Sequence, residues 1–144
     1  MTLLLLSTFA WAGQVTLPLE TTGSGTFYLP AVVDRQVDTL LLLDTGSGYV
    51  SLSQQTFNKL TRDSTRHLLR HIQGVMANGK TVSVPVYQIA ELGLGAGCVL
   101  YDIEVAVMPS GSRDILGINA IRQLQPITLG LDPPRLSGNC QDGS

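Results

Sequence analysis

Short apolar runs separated by turn-forming residues recur along almost the whole chain of 144 residues. Val15, Leu17 and Leu19 alternate with polar residues, as residues on one face of a β-strand do. Glycine (15 residues) and proline (7 residues) often separate such runs and favour tight turns. Further strand-like runs cover residues 27–33, 37–43, 49–52, 73–77, 80–87, 89–94, 99–107 and 127–131. This pattern predicts a mainly β domain, closed as a barrel.

Two hairpin turns and two short helices complete the predicted secondary structure. Residues 34–36 suit a hairpin turn, and Asn78-Gly79 between two strand-like runs is the strongest short signal for a hairpin. Ser53 can cap a helix over residues 54–60, and a second short helix is predicted around residues 119–124. Residues 62–71 fit either a helix or the start of the next strand.

The composition indicates a compact domain and argues against several classes of function. Hydrophobic residues make up 44% and charged residues 14%, which favours a buried core over disorder. The formal net charge is −2 and no long basic run exists, so nucleic-acid binding is not expected. His67 and His71 have i, i+4 spacing, but no third ligand is evident. We therefore predict no metal and no cofactor, and interpret the histidines as part of a solvated basic face.

The two ends of the chain differ from the middle. Residues 1–12 are mostly apolar and end in Ala10-Trp11-Ala12, which matches the cleavage pattern of a secretory signal. We therefore expect a signal peptide over residues 1–12 and export to the periplasm or beyond; a buried N-terminal strand is the alternative. The segment is too short to span a bilayer, so a membrane contact is expected only if it is retained. A domain over residues 13–136 and a polar tail over residues 137–144 follow.

The chain has two cysteines, Cys98 and Cys140, and no Cys-x-x-Cys motif. In an exported protein this pair could form a disulfide, because the compartment is oxidising. Two unrelated thiols are the alternative interpretation.

Asp44 has the clearest potential for chemistry. It follows Leu40–Leu43, a run that is apolar on both faces and therefore predicts a central, buried strand. It precedes Thr45-Gly46-Ser47-Gly48, in which the glycines allow the backbone to approach a substrate closely. A simple turn is the alternative, since Asp, Thr, Ser and Gly all favour turns.

Three segments carry a family resemblance. Residues 41–47, Leu-Leu-Leu-Asp-Thr-Gly-Ser, resemble the active-site loop of aspartic peptidases. Residues 115–119, Ile-Leu-Gly-Ile-Asn, resemble the segment that packs beside that loop in retropepsins. Between them, residues 73–82 lie where the family has its flap hairpin, with Ala77-Asn78-Gly79 at the tip. The order fits across residues 14–131, and the chain is most similar to the bacterial retropepsin-like group of clan AA.

The resemblance implies a retropepsin-like closed β-barrel that acts as a C2 homodimer and hydrolyses peptides or proteins as an aspartic endopeptidase. Asp44 would be the catalytic residue. The other implied site residues are Thr45, Gly46 and Ser47 in the active-site loop; Met76, Ala77, Asn78 and Gly79 in the flap; and Ile115, Leu116, Gly117 and Asn119 as loop support. Hydrolysis by carboxylates needs two of them, so a second copy would supply the other Asp44.

Two features separate this chain from the retroviral members. Gly48 and Ile118 stand where those enzymes have an Asp and an Arg that pair with each other. Because both charges are absent together, no buried charge is left without a partner. The alternatives to an endopeptidase are a catalytically silent retropepsin fold used for dimerisation or peptide binding, and a metal-dependent hydrolase that uses the histidines.

Overall fold

The computed structural model describes residues 13–60 and 66–140. Residues 1–12, where we predicted the signal peptide, and residues 141–144 of the predicted tail lie outside this range. The elements in chain order are β1 Gly13–Pro18, β2 Glu20–Thr21, β3 Phe27–Val33, β4 Val37–Leu43, β5 Val50–Ser53, α1 Gln54–Lys59, β6 Leu68–Val75, β7 Thr81–Leu94, β8 Cys98–Met108, β9 Ile115–Leu116, α2 Ile118–Ile121, a 3-10 turn Arg122–Leu124, β10 Thr128–Leu131 and β11 Pro134–Cys140.

Six strands close into a barrel, in the order β3, β4, β9, β5, β8, β7 and back to β3. The pairs β4–β9 and β5–β8 are parallel, and the remaining pairs are antiparallel. The barrel closes where residues 31–33 of β3 pair with residues 92–94 of β7. The predicted mainly β, retropepsin-like closed barrel with short helices is therefore confirmed.

Alternate residues of the barrel strands fill its interior. In β3, Leu29, Ala31 and Val33 are buried, while the residues between them are partly exposed. This period of two is the one that the sequence showed, and each buried leucine stabilises the fold by about 1.5–3 kcal/mol relative to an exposed one. The prediction that residues 40–43 are buried on both faces was wrong for Leu40, which is 46% exposed. Leu40 points out of the barrel, into a shallow apolar groove beside Pro18 and Pro30.

Both predicted hairpin turns are confirmed. Asp34 and Arg35 have φ angles of 47° and 57°, the positive values that a type I′ turn requires. At the Asn78-Gly79 turn, the amide of Met76 donates to the carbonyl of Lys80 at 2.8 Å. Helix α1 is also confirmed, since the Ser53 hydroxyl accepts from the Thr56 amide at 3.1 Å. Residues 68–71 belong to β6, so the helical alternative for this segment is wrong where the structure describes it.

A second sheet, in the order β1, β11, β10, packs against the barrel. Strand β11 was not predicted, and the expected polar tail is wrong for residues 137–140, which pair with β1. Leu136, Gly138 and Cys140 of this strand are buried. Two of these three residues are small, so the strand carries little apolar signal in the sequence. A disulfide joins Cys140 to Cys98 at the start of β8, with their Cα atoms 5.7 Å apart.

The disulfide ties the C-terminal strand to the barrel across a separation of 42 residues. A crosslink over a loop of this length restricts the unfolded chain, so we expect Cys98→Ser/Cys140→Ser to lower the free energy of unfolding by about 2–4 kcal/mol. Denaturant titration of the two proteins under oxidising conditions measures this difference. A reductant should destabilise the wild type and leave the double variant unchanged; equal stability of the two oxidised proteins would contradict the prediction.

Candidate active site

The loop that carries Asp44 crosses over strand β9. Strands β4 and β5 flank the loop in sequence but are not neighbours in the sheet, because β9 lies between them. Leu43 pairs with Leu116, and Ser51 pairs with Ile115. Residues 44–49 must therefore leave the sheet to connect the two strands. This crossing places Asp44 on the surface of the barrel rather than inside it.

Backbone hydrogen bonds fix the loop onto the segment that follows β9. The Asp44 amide donates to the carbonyl of Leu116 at 3.2 Å. The amides of Ile118 and Asn119 donate to the carbonyls of Ser47 and Gly48, at 2.8 and 3.2 Å. These bonds satisfy two of the amides at the N-terminus of α2, which have no partner within the helix.

Gly117 makes this contact possible. A Cβ atom at this position would lie 2.0 Å from the carbonyl oxygen of Tyr49 and 2.9 Å from that of Ser47. Glycine is therefore required at this position by the close approach of two backbone segments, rather than by an unusual φ angle. The hydrophobic-hydrophobic-Gly pattern of residues 115–117 thus has a direct steric cause.

The side chain of Asn119 links the loop to the barrel wall. Its Oδ1 accepts from the Val50 amide at 2.7 Å, and its Nδ2 donates to the Glu104 carbonyl at 2.8 Å. Asn119 therefore connects β5 and β8 to the start of α2. The structure thus brings all four residues predicted as loop support, Ile115, Leu116, Gly117 and Asn119, into the immediate surroundings of the loop.

The Asp44 carboxylate is partly exposed. Its Oδ1 accepts from the Gly46 amide at 2.8 Å, so the turn of the loop orients the carboxylate. Thr45 and Gly46 are exposed beside it, and the Ser47 hydroxyl donates to the carbonyl of Tyr49 at 2.9 Å. One oxygen of the carboxylate is therefore held by the loop itself, and the other has no hydrogen-bond partner among the described residues.

A cleft of about 520 Å³ separates the loop from the flap hairpin, which we define as residues 68–87. Residues 72–75 and Val84 line the cleft on the flap side, whereas the tip residues Met76, Ala77, Asn78 and Gly79 do not. The remaining lining residues are Asp44, Gly46, Ser47, Gly48, Tyr49, Ser51, Ala106, Met108, Ser112, Arg113 and Ile115. The stem of the flap, which includes residues 73–75 of the predicted flap segment 73–82, forms this wall of the cleft.

Asp114 is a buried residue that the sequence analysis missed. Its carboxylate accepts from the Ser53 amide at 2.7 Å, from the Thr56 hydroxyl at 2.6 Å and from the Thr39 hydroxyl. Its carbonyl accepts from the Leu42 amide at 2.9 Å. Asp114 therefore joins β4, the start of α1 and β9 directly beside the Asp44 loop. Its partners are distant in sequence, so no local pattern reveals it.

An ion pair connects the flap to the wall behind the loop. The Arg70 guanidinium on β6 donates to Glu104 at 2.5 and 3.1 Å and to the Tyr49 hydroxyl at 2.7 Å. The hydrogen bonds from Arg70, with its positive charge, lower the pKa of the Glu104 carboxyl. The bonds to Glu104 and Tyr49 raise the pKa of Arg70 in turn. This cluster of Tyr49, Arg70 and Glu104 fixes the base of the flap.

Nothing in the described part of the chain resembles a metal centre. No group of three or more His, Cys, Asp or Glu side chains among residues 13–60 and 66–140 is arranged to hold a metal ion. His71 lies on a strand, so the helical spacing that suggested a histidine pair does not apply.

Within residues 13–60 and 66–140, no helix is long and apolar enough to cross a membrane.

The barrel, the crossing loop and the flap together define a retropepsin-like aspartic peptidase. Residues 30–123, well over half of the chain, match the family model described as "gag-polyprotein putative aspartyl protease". The chain therefore belongs to this family. A solved structure of a retropepsin-like aspartic protease from Rickettsia conorii is similar, with 18% sequence identity and a TM-score of 0.65 over 89% of this chain and 92% of that one. At this identity the likeness concerns the fold. No curated protein sequence matches the chain.

Gly117→Ala tests the steric argument for the loop. The added methyl group would overlap the Tyr49 carbonyl, and neither backbone segment can move without breaking hydrogen bonds. We expect the free energy of unfolding to fall by at least about 2 kcal/mol. Gly97→Ala is the matched control, since a Cβ there meets nothing within 4 Å. Denaturant titration measures both, and equal stability of the two variants would contradict the assignment.

The ion pair predicts a pH dependence of stability. Because folding lowers the pKa of Glu104, the pair contributes stability fully above the usual Glu value of about 4.3. That contribution is lost as the pH falls through the lowered, folded-state pKa. The difference in Tm between wild type and Glu104→Gln should therefore be constant near neutral pH and vanish in acid. Glu20→Gln, at an exposed site without a described ion pair, is the control. A difference that persists unchanged in strong acid would contradict this role.

Proposed function

We propose that the protein is an aspartic endopeptidase whose active site forms between two copies of the chain, each supplying Asp44. The observation that carries the proposal is the lining of the cleft. Asp44 is the one carboxylate among its described lining residues, and it lies on a loop at the surface. Because this chemistry needs a pair of carboxylates, the chain alone supplies half of a site. A two-fold axis through the loops would bring the two Asp44 side chains together.

The hydrogen bonds around Asp44 support this role. The Gly46 amide occupies Oδ1, which leaves Oδ2 to hold a proton or a water molecule. In the proposed dyad, one carboxylate takes a proton from water while the other donates a proton to the carbonyl oxygen of the peptide. The dyad is active with one proton bound, so it requires neither a metal nor a cofactor. Thr45 is exposed, and we propose that it bonds to the partner loop.

The flap hairpin would then close over the substrate. Its stem already lines the cleft through residues 72–75, whereas its tip, residues 76–79, does not. We propose that an extended peptide lies between the stem and the Asp44 loop, and that Met76, Ala77, Asn78 and Gly79 contact the peptide once the tip folds over it. Closure of this kind excludes water from the reacting bond.

The second sheet offers additional contact area for the proposed dimer. Strand β10 is an edge strand, and it exposes Leu129 (44% exposed) and Leu131 (65% exposed). An exposed apolar edge strand is a ready surface for pairing with another strand. Leu17 and Leu19 belong instead to the core. We therefore propose that β10 contributes more of the interface than the apolar residues of β1.

We also propose that the protein works outside the cytoplasm. The disulfide between Cys98 and Cys140 supports this, because such bonds persist in oxidising compartments. The apolar residues 1–12 with their Ala-Trp-Ala ending are consistent with an export signal.

Mixing wild type with Asp44→Asn tests both the catalytic residue and the shared site. Asp44→Asn alone should lower the rate of peptide hydrolysis by about 1,000-fold or more, because Asn cannot exchange the proton. In an equimolar mixture at dimer-forming concentration, about one quarter of randomly paired dimers hold two Asp44 carboxylates. Hydrolysis per total chain should then fall to about a quarter of the wild-type value, after subunits have exchanged.

The control is Asp38→Asn, which replaces an exposed aspartate on the strand before the loop. This variant should keep full activity, alone and in the mixture. A rate of one half in the Asp44→Asn mixture would indicate independently active single chains. An unchanged rate in Asp44→Asn alone would remove Asp44 from the mechanism.

A further inference from the structure

Among the described residues that line the cleft, Asp44 and Arg113 carry the charges. The Arg113 side chain is exposed and takes part in no hydrogen bond or ion pair within residues 13–60 and 66–140. By contrast, three other arginines form ion pairs with carboxylates. Arg35 pairs with Glu91, Arg66 with Asp34 and Arg70 with Glu104. The cleft thus contains a cation whose hydrogen-bonding capacity is unused by the described residues.

The backbone holds Arg113 at the cleft from both sides. Before it, the Ser112 amide donates to the Pro109 carbonyl at 3.1 Å, closing a turn in which Gly111 has a φ of 88°. After it, Asp114 is buried and anchored by its three donors. Arg113 and Ile115, on either side of the buried Asp114, both line the cleft.

We propose that Arg113 is a specificity-determining residue that binds a carboxylate of the substrate, so that the enzyme prefers peptides with Asp or Glu near the scissile bond. This inference rests on the function proposed above. A guanidinium presents paired N–H donors that match the two oxygens of a carboxylate. The neutral cleft residues Gln73 and Ser112 add hydrogen-bonding capacity beside it.

Electrostatics within the cleft favour the same conclusion. An active dyad of two Asp44 carboxylates sharing one proton carries a net negative charge, which repels an acidic substrate. Arg113 offsets this repulsion, and a two-fold axis would place one Arg113 from each copy in the combined cleft. A cleft without this cation would instead discriminate against acidic peptides.

Matched peptides test the proposal. We would measure kcat/KM for short peptides with an apolar centre, in which each flanking position carries Glu or, in the paired peptide, Gln. At one or more positions, near neutral pH, the wild type should favour the Glu peptide by about tenfold, the contribution of a charge-assisted hydrogen bond. Arg113→Gln should abolish this preference, and Arg113→Lys should keep part of it. Arg122→Gln, an exposed arginine outside the cleft, is the control.

The pH dependence of the preference gives a second readout. Asp44 and Tyr49 are the other titratable side chains that line the described cleft. Their effect on the ratio of the two rates is common to wild type and Arg113→Gln, so the comparison of these two proteins isolates the contribution of Arg113. In the wild type this ratio should rise as the pH passes through roughly 4.3, where a free Glu ionises. In Arg113→Gln it should remain flat or fall.

Binding to Asp44→Asn separates this inference from the proposed function. Calorimetry of the same peptides with Asp44→Asn and with Asp44→Asn/Arg113→Gln requires no turnover. Suppose that the Glu peptide binds more tightly than the Gln peptide only when Arg113 is present, and that the wild type cleaves neither peptide. This result would refute the proposed endopeptidase activity and support the carboxylate-binding role of Arg113. Equal rates and affinities for Glu and Gln peptides at every position would overturn the inference. An Arg113→Gln protein that loses dimers in sedimentation yet keeps the Glu preference would also overturn it, and would make Arg113 a subunit contact.

Discussion

The position of Asp44 depends on the absence of a side chain at Gly117. Gly117 allows the end of β9 to pass directly beneath the loop, where a methyl group would lie 2.0 Å from the Tyr49 carbonyl oxygen. Because β9 can occupy this place, it pairs with both β4 and β5, and the barrel closes. The same approach lets Ser47 and Gly48 accept from the first amides of α2. The close approach that Gly117 permits therefore underlies the sheet order, the start of the helix and the exposure of the Asp44 loop.

Two polar side chains reinforce this crossing from opposite sides. Asn119 bonds to the backbone of β5 and β8, and Asp114 bonds to residues on β4 and at the start of α1. In the described residues, no buried side-chain nitrogen or oxygen lacks a hydrogen-bond partner. Such a satisfied network accepts few alternative arrangements, because each change leaves a buried group without a partner. The apolar core makes the barrel stable, and these polar bonds specify how the loop lies on it.

The sequence predicted the features that have local causes. Short apolar runs located the barrel strands other than β9, and short turn signals located the hairpins around residues 34–36 and 78–79. It did not predict features that depend on distant partners. Strand β11 is stabilised by pairing with β1, although its own buried positions include Gly138 and Cys140. Leu40 is apolar, but its side chain lies in the groove outside the barrel and not in the core.

In the candidate site, too, the sequence predicted the features with local causes and missed those that depend on distant partners. Asp44 and residues 115–119 were found because the loop and its support have short, recognisable patterns. The cluster that fixes the flap could not be read in the same way, because Arg70 is separated from Tyr49 by 21 residues and from Glu104 by 34. Gly48 and Ile118 indicated that the charge pair found in retroviral enzymes is absent. No sequence pattern near these two residues indicated that Arg70 on β6 would form an ion pair with Glu104 on β8.

These contacts also explain how half of the proposed active site can be stable by itself. A fully buried carboxylate without a partner would be costly, but Asp44 remains partly hydrated and takes one hydrogen bond from its own loop. Every bond that orients the loop comes from the same chain, through β9, α2 and Asn119. In the proposed dimer, association therefore brings together two loops that are already ordered. The desolvation of the two carboxylates then coincides with the sharing of a proton between them, and the interface does not also have to order the loop.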